Sequence, residues 1–231
     1  MRRDEIAARL IVAAIADLSE PMIRALIFDL DNCLADAREV GEELYQPAFE
    51  AIRRANQGVV APEALDRAFE DIWRHSLDWV AAQYGFSQAM KVAGWHVFSV
   101  LEVNRKLTGY ADLSILSELP RARFLVTSGF KRLQESKIEA LELAPLFAAI
   151  YVDAIDEPKR IGKLGYFERI LQDHELAPAE VLVVGDNAES EIAVGVRLGM
   201  PTAQTLRPGV PYAANASFHI RSLQELKALI F

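Results

Sequence analysis

Two aspartates stand one residue apart in Asp29-Leu30-Asp31, at the end of the mostly apolar run of residues 23–28. Where a chain turns just past a strand, both carboxylates can reach one cavity. Further along, Thr127-Ser128-Gly129 places a hydroxyl ahead of free backbone donors, and Gly185-Asp186 is followed by Glu191. A loop bearing Lys159 and Lys163 precedes the helical stretch 164–173. Taken singly, each piece has a plainer reading. Asp is common in turns after strands, Asp186 or Ser190 could cap a helix, and loop lysines are ordinarily solvated. Together they describe one chemistry. Carboxylates gathered in one pocket repel by roughly 4 kcal/mol per pair at ~4 Å and an effective dielectric of ~20. A hard divalent cation with oxygen ligands relieves that repulsion, and Mg²⁺ is the ordinary choice.

The elements that must position these groups are short apolar runs alternating with helical stretches. Residues 23–28, 123–127, 149–152, 181–184 and 202–206 read as buried strands, being mostly apolar rather than alternating. Residues 130–142, 164–173, 189–198 and 222–230 read as helices. That alternation predicts an α/β fold with a doubly wound parallel sheet, whose ligands sit beyond the carboxyl ends of the strands. Residues 36–112 break the pattern. Leu65, Phe69, Ile72, Trp73, Leu77, Val80 and Tyr84 recur at helical spacing after Pro62, residues 86–103 form a second helix, and residues 39–55 give one or two more around Pro47. The expected organisation is therefore an N-terminal extension over 1–21, a core from 22–35 and 113–231, and a helical insertion over 36–112. His75 and His96 lack partners at metal-ligand spacing and read as core residues, as does the aromatic stripe around them. Asp36, Arg38 and Tyr45 are candidates to face a substrate, and Arg207-Pro208-Gly209 reads as a turn.

Composition narrows the function classes. The chain has 231 residues, 52% hydrophobic and 25% charged, enough apolar content for a core without staples and too much for disorder. The net charge of −8, with basic residues clustered no further than pairs such as Arg53-Arg54, argues against a nucleic-acid partner. No apolar run approaches a membrane span. The single cysteine, Cys33, excludes an internal disulfide and a cysteine-based zinc site, and a reducing cytoplasmic setting fits. Residues 10–16 are apolar and Ala14-Ile15-Ala16 has the look of a cleavage site. Asp4, Glu5 and Arg9 interrupt that segment, which reads instead as a short amphipathic helix ending near Pro21. Met22, leading straight into a strand, is an alternative start.

The pieces Phe28-Asp29-Leu30-Asp31-Asn32-Cys33-Leu34, Leu125-Val126-Thr127-Ser128-Gly129-Phe130, Lys163 and Val184-Gly185-Asp186-Asn187-Ala188-Glu189-Ser190-Glu191 occur in this order. In them the sequence resembles the haloacid dehalogenase (HAD) superfamily over residues 23–231, and the insertion is similar to the helical cap of its phosphoglycolate-phosphatase-like branch. The resemblance implies a Rossmann-like core and phosphoryl transfer from a small phosphorylated metabolite. It implies Asp29 as nucleophile and Mg²⁺ ligand, and Asp31 as general acid and base whose main-chain carbonyl touches the metal. It implies Thr127, with Ser128, Gly129 and backbone amides, on the phosphate, Lys163 neutralising charge, and Asp186 and Glu191 at the metal. Three positions depart from the family pattern. Cys33 stands where Thr or Val is usual, Leu164 rather than Pro follows the lysine, and Glu191 replaces Asp. Lys163 is preferred to Lys159 because a helix begins immediately after it. A phosphomutase on the same fold and a non-catalytic scaffold binding a phosphorylated ligand are the alternatives. A dehalogenase needs neither a general acid at position 31 nor a metal.

Overall fold

A computed structural model describes residues 22–230; the helix expected ahead of Pro21 lies outside them. Six parallel strands form one sheet: β1 (Ala25–Phe28), β2 (Ala122–Gly129), β3 (Ala149–Ala154), β4 (Val181–Gly185), β5 (Thr202–Thr205) and β6 (Phe218–Ile220), in the order β3-β2-β1-β4-β5-β6. The five expected strands are present, and β2 and β3 run two residues further than their apolar cores. β6 was not expected: three residues with an exposed Phe218 carry no apolar run, and the strand exists because it pairs with β5 at the sheet's edge.

Alternate residues leave the two faces of the sheet for different cores, as a period of two requires. Ala25, Ile27, Phe124, Val126, Val181 and Val183 pack with Phe167 and Ile170, on α6 (Gly162–Asp173). Leu26, Phe28, Leu125, Leu182 and Val184 pack on the opposite face, in a core continuous with the helical insertion. Helices α5 (Lys131–Ala140), α7 (Glu191–Leu198) and α8 (Leu226–Ile230) complete the sheet's cover. No helix among the described residues is long and apolar enough to cross a membrane.

The insertion consists of a 3₁₀ turn (Ala37–Val40), α1 (Glu42–Asn56), which runs through Pro47, α2 (Pro62–Asp71), α3 (Leu77–Gln83) and α4 (Gln88–Phe98). Tyr45 stacks on Trp73 with ring centres 4.4 Å apart, and Phe49 stacks on Phe69 at 4.4 Å. The aromatic stripe is thus the insertion's own core. Two expected helices are shorter than their periodicity suggests. The pattern from Leu65 to Tyr84 is cut between α2 and α3, because the carbonyls of Trp73 and Arg74 are taken by the side-chain amides of Asn32 (3.1 Å) and Asn187 (3.2 Å). These amides come from distant loops, so residue periodicity carries no trace of them. The second expected helix ends at Phe98, and the chain then runs along α5, where Ser136 accepts the Val103 N–H at 2.9 Å.

Neither histidine of the insertion is a core residue. His96 is exposed, and His75 is half-buried and stacked on Trp79 at 3.8 Å. Arg207 begins a turn, as expected, but its own side chain is buried. It pairs with Asp112 at 2.8 Å, lies over the Tyr110 ring and donates to the Cys33 carbonyl.

Candidate active site

The carboxyl ends of β1, β2 and β4 open into a cavity of about 370 Å³ roofed by the stretch between α2 and α3. Asp29 follows β1 and still donates its N–H to the Val184 carbonyl, so it is as fixed as the sheet. The chain then folds back sharply. Asn32 takes a left-handed conformation (φ 56°), which Asn tolerates better than most side chains, and its N–H reaches the Ala35 carbonyl. This turn brings Asp29 and Asp31 into the same cavity.

Lys163 lies in the first turn of α6. Its Nζ is 2.8 Å from Asp29 Oδ1 and 2.7 Å from Glu191 Oε2, all three groups buried. The ammonium that reaches Asp29 is thus that of Lys163, and Lys159 does not line the cavity. The loop ahead of α6 is held by Asp153, a nearly inaccessible carboxylate that accepts from Ser128 Oγ, Arg160 Nε and the Gly162 N–H. Glu191 folds back under the end of β4, where its Oε1 accepts the Asn187 N–H at 2.6 Å. Gly185 makes that possible: a Cβ there would stand 2.3 Å from Glu191 Oε1.

Thr127 closes the remaining wall. Its Oγ1 accepts from Gln134 Nε2 at 2.6 Å, and the same amide donates to Asp31 Oδ2 at 3.0 Å. Lys137, one turn along α5 and buried, contacts both Asp31 oxygens at 2.9 and 3.0 Å. Ser128 and Gly129 line the cavity, but the Ser128 hydroxyl is spent on Asp153. Of the residues expected to face a substrate from beyond the first strand, Tyr45 lines the cavity. Asp36 instead caps the 3₁₀ turn, and Arg38 pairs with Glu42 and Glu70.

Gln134, Lys137, Arg74 and Arg160 went unassigned in the sequence. For the first two a signal was present: polar residues three apart on the face of a helix that also buries Leu133 and Ile138. Arg74 and Arg160 carry no comparable local signal.

Electrostatics mark the cluster as short of positive charge. Burial pushes the Asp29 carboxyl up to about 7; Lys163 pulls it down and Glu191 pushes it further up. Asp186 is raised well above the usual carboxylate range by burial, then by Glu191 and Asp29. Burial opposes the Lys163 ammonium, but Asp29 and Glu191 more than compensate and its pKa rises. The Cys33 thiol is pushed up by burial and by the same carboxylates, so it is an inert packing residue. Oxygens of Asp29, Asp186 and Glu191 all lie within 4.8 Å of one another. Three buried oxygen donors this close suit a hard divalent cation such as Mg²⁺, and the residues present fit that ion. The Asp31 carboxylate lies outside this trio, engaged by Lys137 and Gln134.

The family model described as haloacid dehalogenase-like hydrolase matches residues 23–199. The chain belongs to the haloacid dehalogenase-like hydrolases. No curated protein matches it. Among solved structures, this HAD-like hydrolase is similar to a HAD phosphatase from Thermococcus onnurineus (21% identity, 90% of this chain and 98% of that one, TM-score 0.59). It is similar to YfnB from Bacillus subtilis, solved bound to magnesium (20%, 90% and 99%, TM-score 0.57). It is also similar to L-2-haloacid dehalogenase from Xanthobacter autotrophicus with chloropropionic acid covalently bound (19%, 90% and 98%, TM-score 0.54). At these identities the likeness establishes the shared HAD-like fold.

Proposed function

We propose that this HAD-like hydrolase is a Mg²⁺-dependent phosphatase acting on a small phosphomonoester, with Asp29 as its nucleophile. The observation that carries the reading is the meeting, in one cavity, of Asp29 on Lys163, the carboxylates of Asp186 and Glu191 beside them, and the separate carboxyl of Asp31. An Asp29 oxygen attacks phosphorus and the P–O ester bond breaks. The departing alkoxide takes a proton from the Asp31 carboxyl, which must enter this step protonated. Water then attacks the aspartyl phosphate and passes a proton back to Asp31, releasing inorganic phosphate and restoring Asp29. Dividing the displacement at a carboxylate replaces one difficult step by two easier ones. Lys163 neutralises charge on Asp29 and the incoming phosphoryl group, Thr127 offers its hydroxyl to a phosphoryl oxygen, and Gln134 and Lys137 hold Asp31 in place. Mg²⁺, held by Asp29, Asp186, Glu191 and the Asp31 carbonyl, would supply Lewis-acid stabilisation of the phosphoryl charge.

The cavity's volume suits a small metabolite, and the single buried cysteine suits a reducing, cytoplasmic setting. Release of inorganic phosphate from p-nitrophenyl phosphate in Mg²⁺, abolished by EDTA, is the test. Full activity in excess EDTA overturns the metal requirement. Halide release from 2-chloropropionate with no phosphatase activity moves the protein to the dehalogenases. Net transfer of phosphate to a second hydroxyl, rather than to water, makes it a phosphomutase.

A further inference from the structure

Arg74 sits in the interrupted stretch between α2 and α3, and its backbone cannot move freely. Its carbonyl is bound by Asn187, and the preceding carbonyl is bound by Asn32. The side chain is 23% exposed and lines the cavity. Nη1 donates to the Gly209 carbonyl at 2.7 Å, and Nη2 lies 3.3 Å from Asp186 Oδ2. Lys163 bonds Asp29 and Glu191 but not Asp186, whose ion-pair partner is Arg74. The third carboxylate of the trio is therefore ion-paired from the insertion and not from the core.

A divalent cation held by the trio would take over Asp186. Arg74 would then face a cation across an already neutralised carboxylate, with one neutral carbonyl as its remaining partner. A partly desolvated guanidinium in that position calls for an anion, and its planar fork matches the oxygens of a phosphoryl or carboxylate group. We propose that Arg74 is an exchangeable counter-charge: it neutralises Asp186 in the metal-free protein, yields that carboxylate to the divalent cation, and then binds the oxyanion of the substrate. Cation and oxyanion thereby bind with positive coupling, each strengthening the other by the same factor. The inference rests on the phosphatase reading for the identity of the anion.

Calorimetric titration of Mg²⁺ and of inorganic phosphate into the full chain and its Arg74→Gln variant tests it. Without phosphate, Arg74→Gln tightens Mg²⁺ binding by about 2–5-fold, because a partly exposed ion pair no longer has to break. In saturating Mg²⁺, phosphate affinity falls by about tenfold or more, the value of a charge-assisted hydrogen bond. Should Arg74→Gln fail to fold, Arg74→Lys carries the same test. It keeps the charge and loses the fork, so Mg²⁺ affinity holds or rises while phosphate affinity drops. Mg²⁺ binding that is unchanged or weaker without phosphate, together with phosphate affinity within about twofold of the parent, overturns the inference. Turnover of p-nitrophenyl phosphate by the parent chain separates the two readings. If turnover is present and Arg74 variants leave both affinities alone, the counter-charge alone falls; if the parent neither turns over nor binds Mg²⁺, both fall.

Discussion

Asp29 holds a carboxyl where burial disfavours the charged form, and a single ammonium, Lys163, offsets that only in part, leaving the carboxyl at about 7. Replacing Asp29 with Asn removes the attacking oxygen without changing shape. Turnover of p-nitrophenyl phosphate should drop by at least ~10³-fold, measured by nitrophenol release, since nothing else can form the covalent link. Lys163→Ala should cost ~10²–10³ in kcat, the usual loss for one prepositioned electrostatic partner. Lys159→Ala should leave kcat within about twofold, because that side chain lies off the cavity; the reverse order in a parallel assay would remove Lys163 from the chemistry. Asp31→Asn should slow an alkyl phosphate much more than p-nitrophenyl phosphate, whose leaving oxygen hardly needs a proton. Equal losses on both would argue against Asp31 as the proton donor. The aspartates were legible from their spacing after an apolar run. The helix start after Lys163 favoured it over Lys159, but its second partner, Glu191, was not legible, because that contact depends on how the chain folds back after β4.

Between residues and fold stand the short elements that aim them. Gly185 leaves the space into which Glu191 turns, so Gly185→Ala puts a methyl against a carboxylate that is already hydrogen-bonded. It should destabilise the protein by about 1–3 kcal/mol, as overpacking does, and weaken Mg²⁺ binding; chemical denaturation and Mg²⁺ titration on one sample check both. Asp153 gathers the end of β2, Arg160 and the start of α6 on one carboxylate. Asp153→Asn should lower stability by about 1–3 kcal/mol, below the figure for a fully buried pair because Arg160 is partly exposed. It should also reduce kcat through a looser Lys163, an effect that denaturant curves alone cannot mimic. The sequence carried the helical character of residues 62–83 but not the break after Asp71. Propensity and periodicity are properties of a segment, and the break is imposed by Asn32 and Asn187 from elsewhere.

For the molecule as a whole, the acidic trio ties stability to metal and pH. Mg²⁺ at 100 times its dissociation constant should add about 2.7 kcal/mol, a rise of roughly 5–10 °C in Tm for a chain this size. The Asp29 carboxyl titrates near 7 in the fold and near the ordinary 3.8 when unfolded. Between these values the folded chain holds more protons than the unfolded one, so raising the pH destabilises it. In EDTA, Tm should therefore fall as pH climbs from about 5 to about 8, and Asp29→Asn should flatten that fall. A Tm in EDTA that rises across this window would show that burial and the neighbouring carboxylates do not hold the Asp29 carboxyl up in the fold.

The order of apolar runs and helical stretches by itself determined a parallel doubly wound sheet, since short, mostly apolar runs that do not alternate belong in strands covered on both faces. It also determined which strand ends carry Asp29, Asp31, Thr127, Asp186 and Glu191, because those residues close the runs or lie in the loop and helix start just beyond them. Tertiary structure alone decided the rest. It decided that the Lys163 ammonium bridges Asp29 and Glu191, that Gln134 and Lys137 hold Asp31, that β6 joins the sheet, and that Arg74 reaches Asp186 from the insertion. Each of these is a contact between segments far apart in the chain or a choice made by loop conformation. Periodicity describes what a segment buries, and it is silent on which distant partner a polar side chain will find.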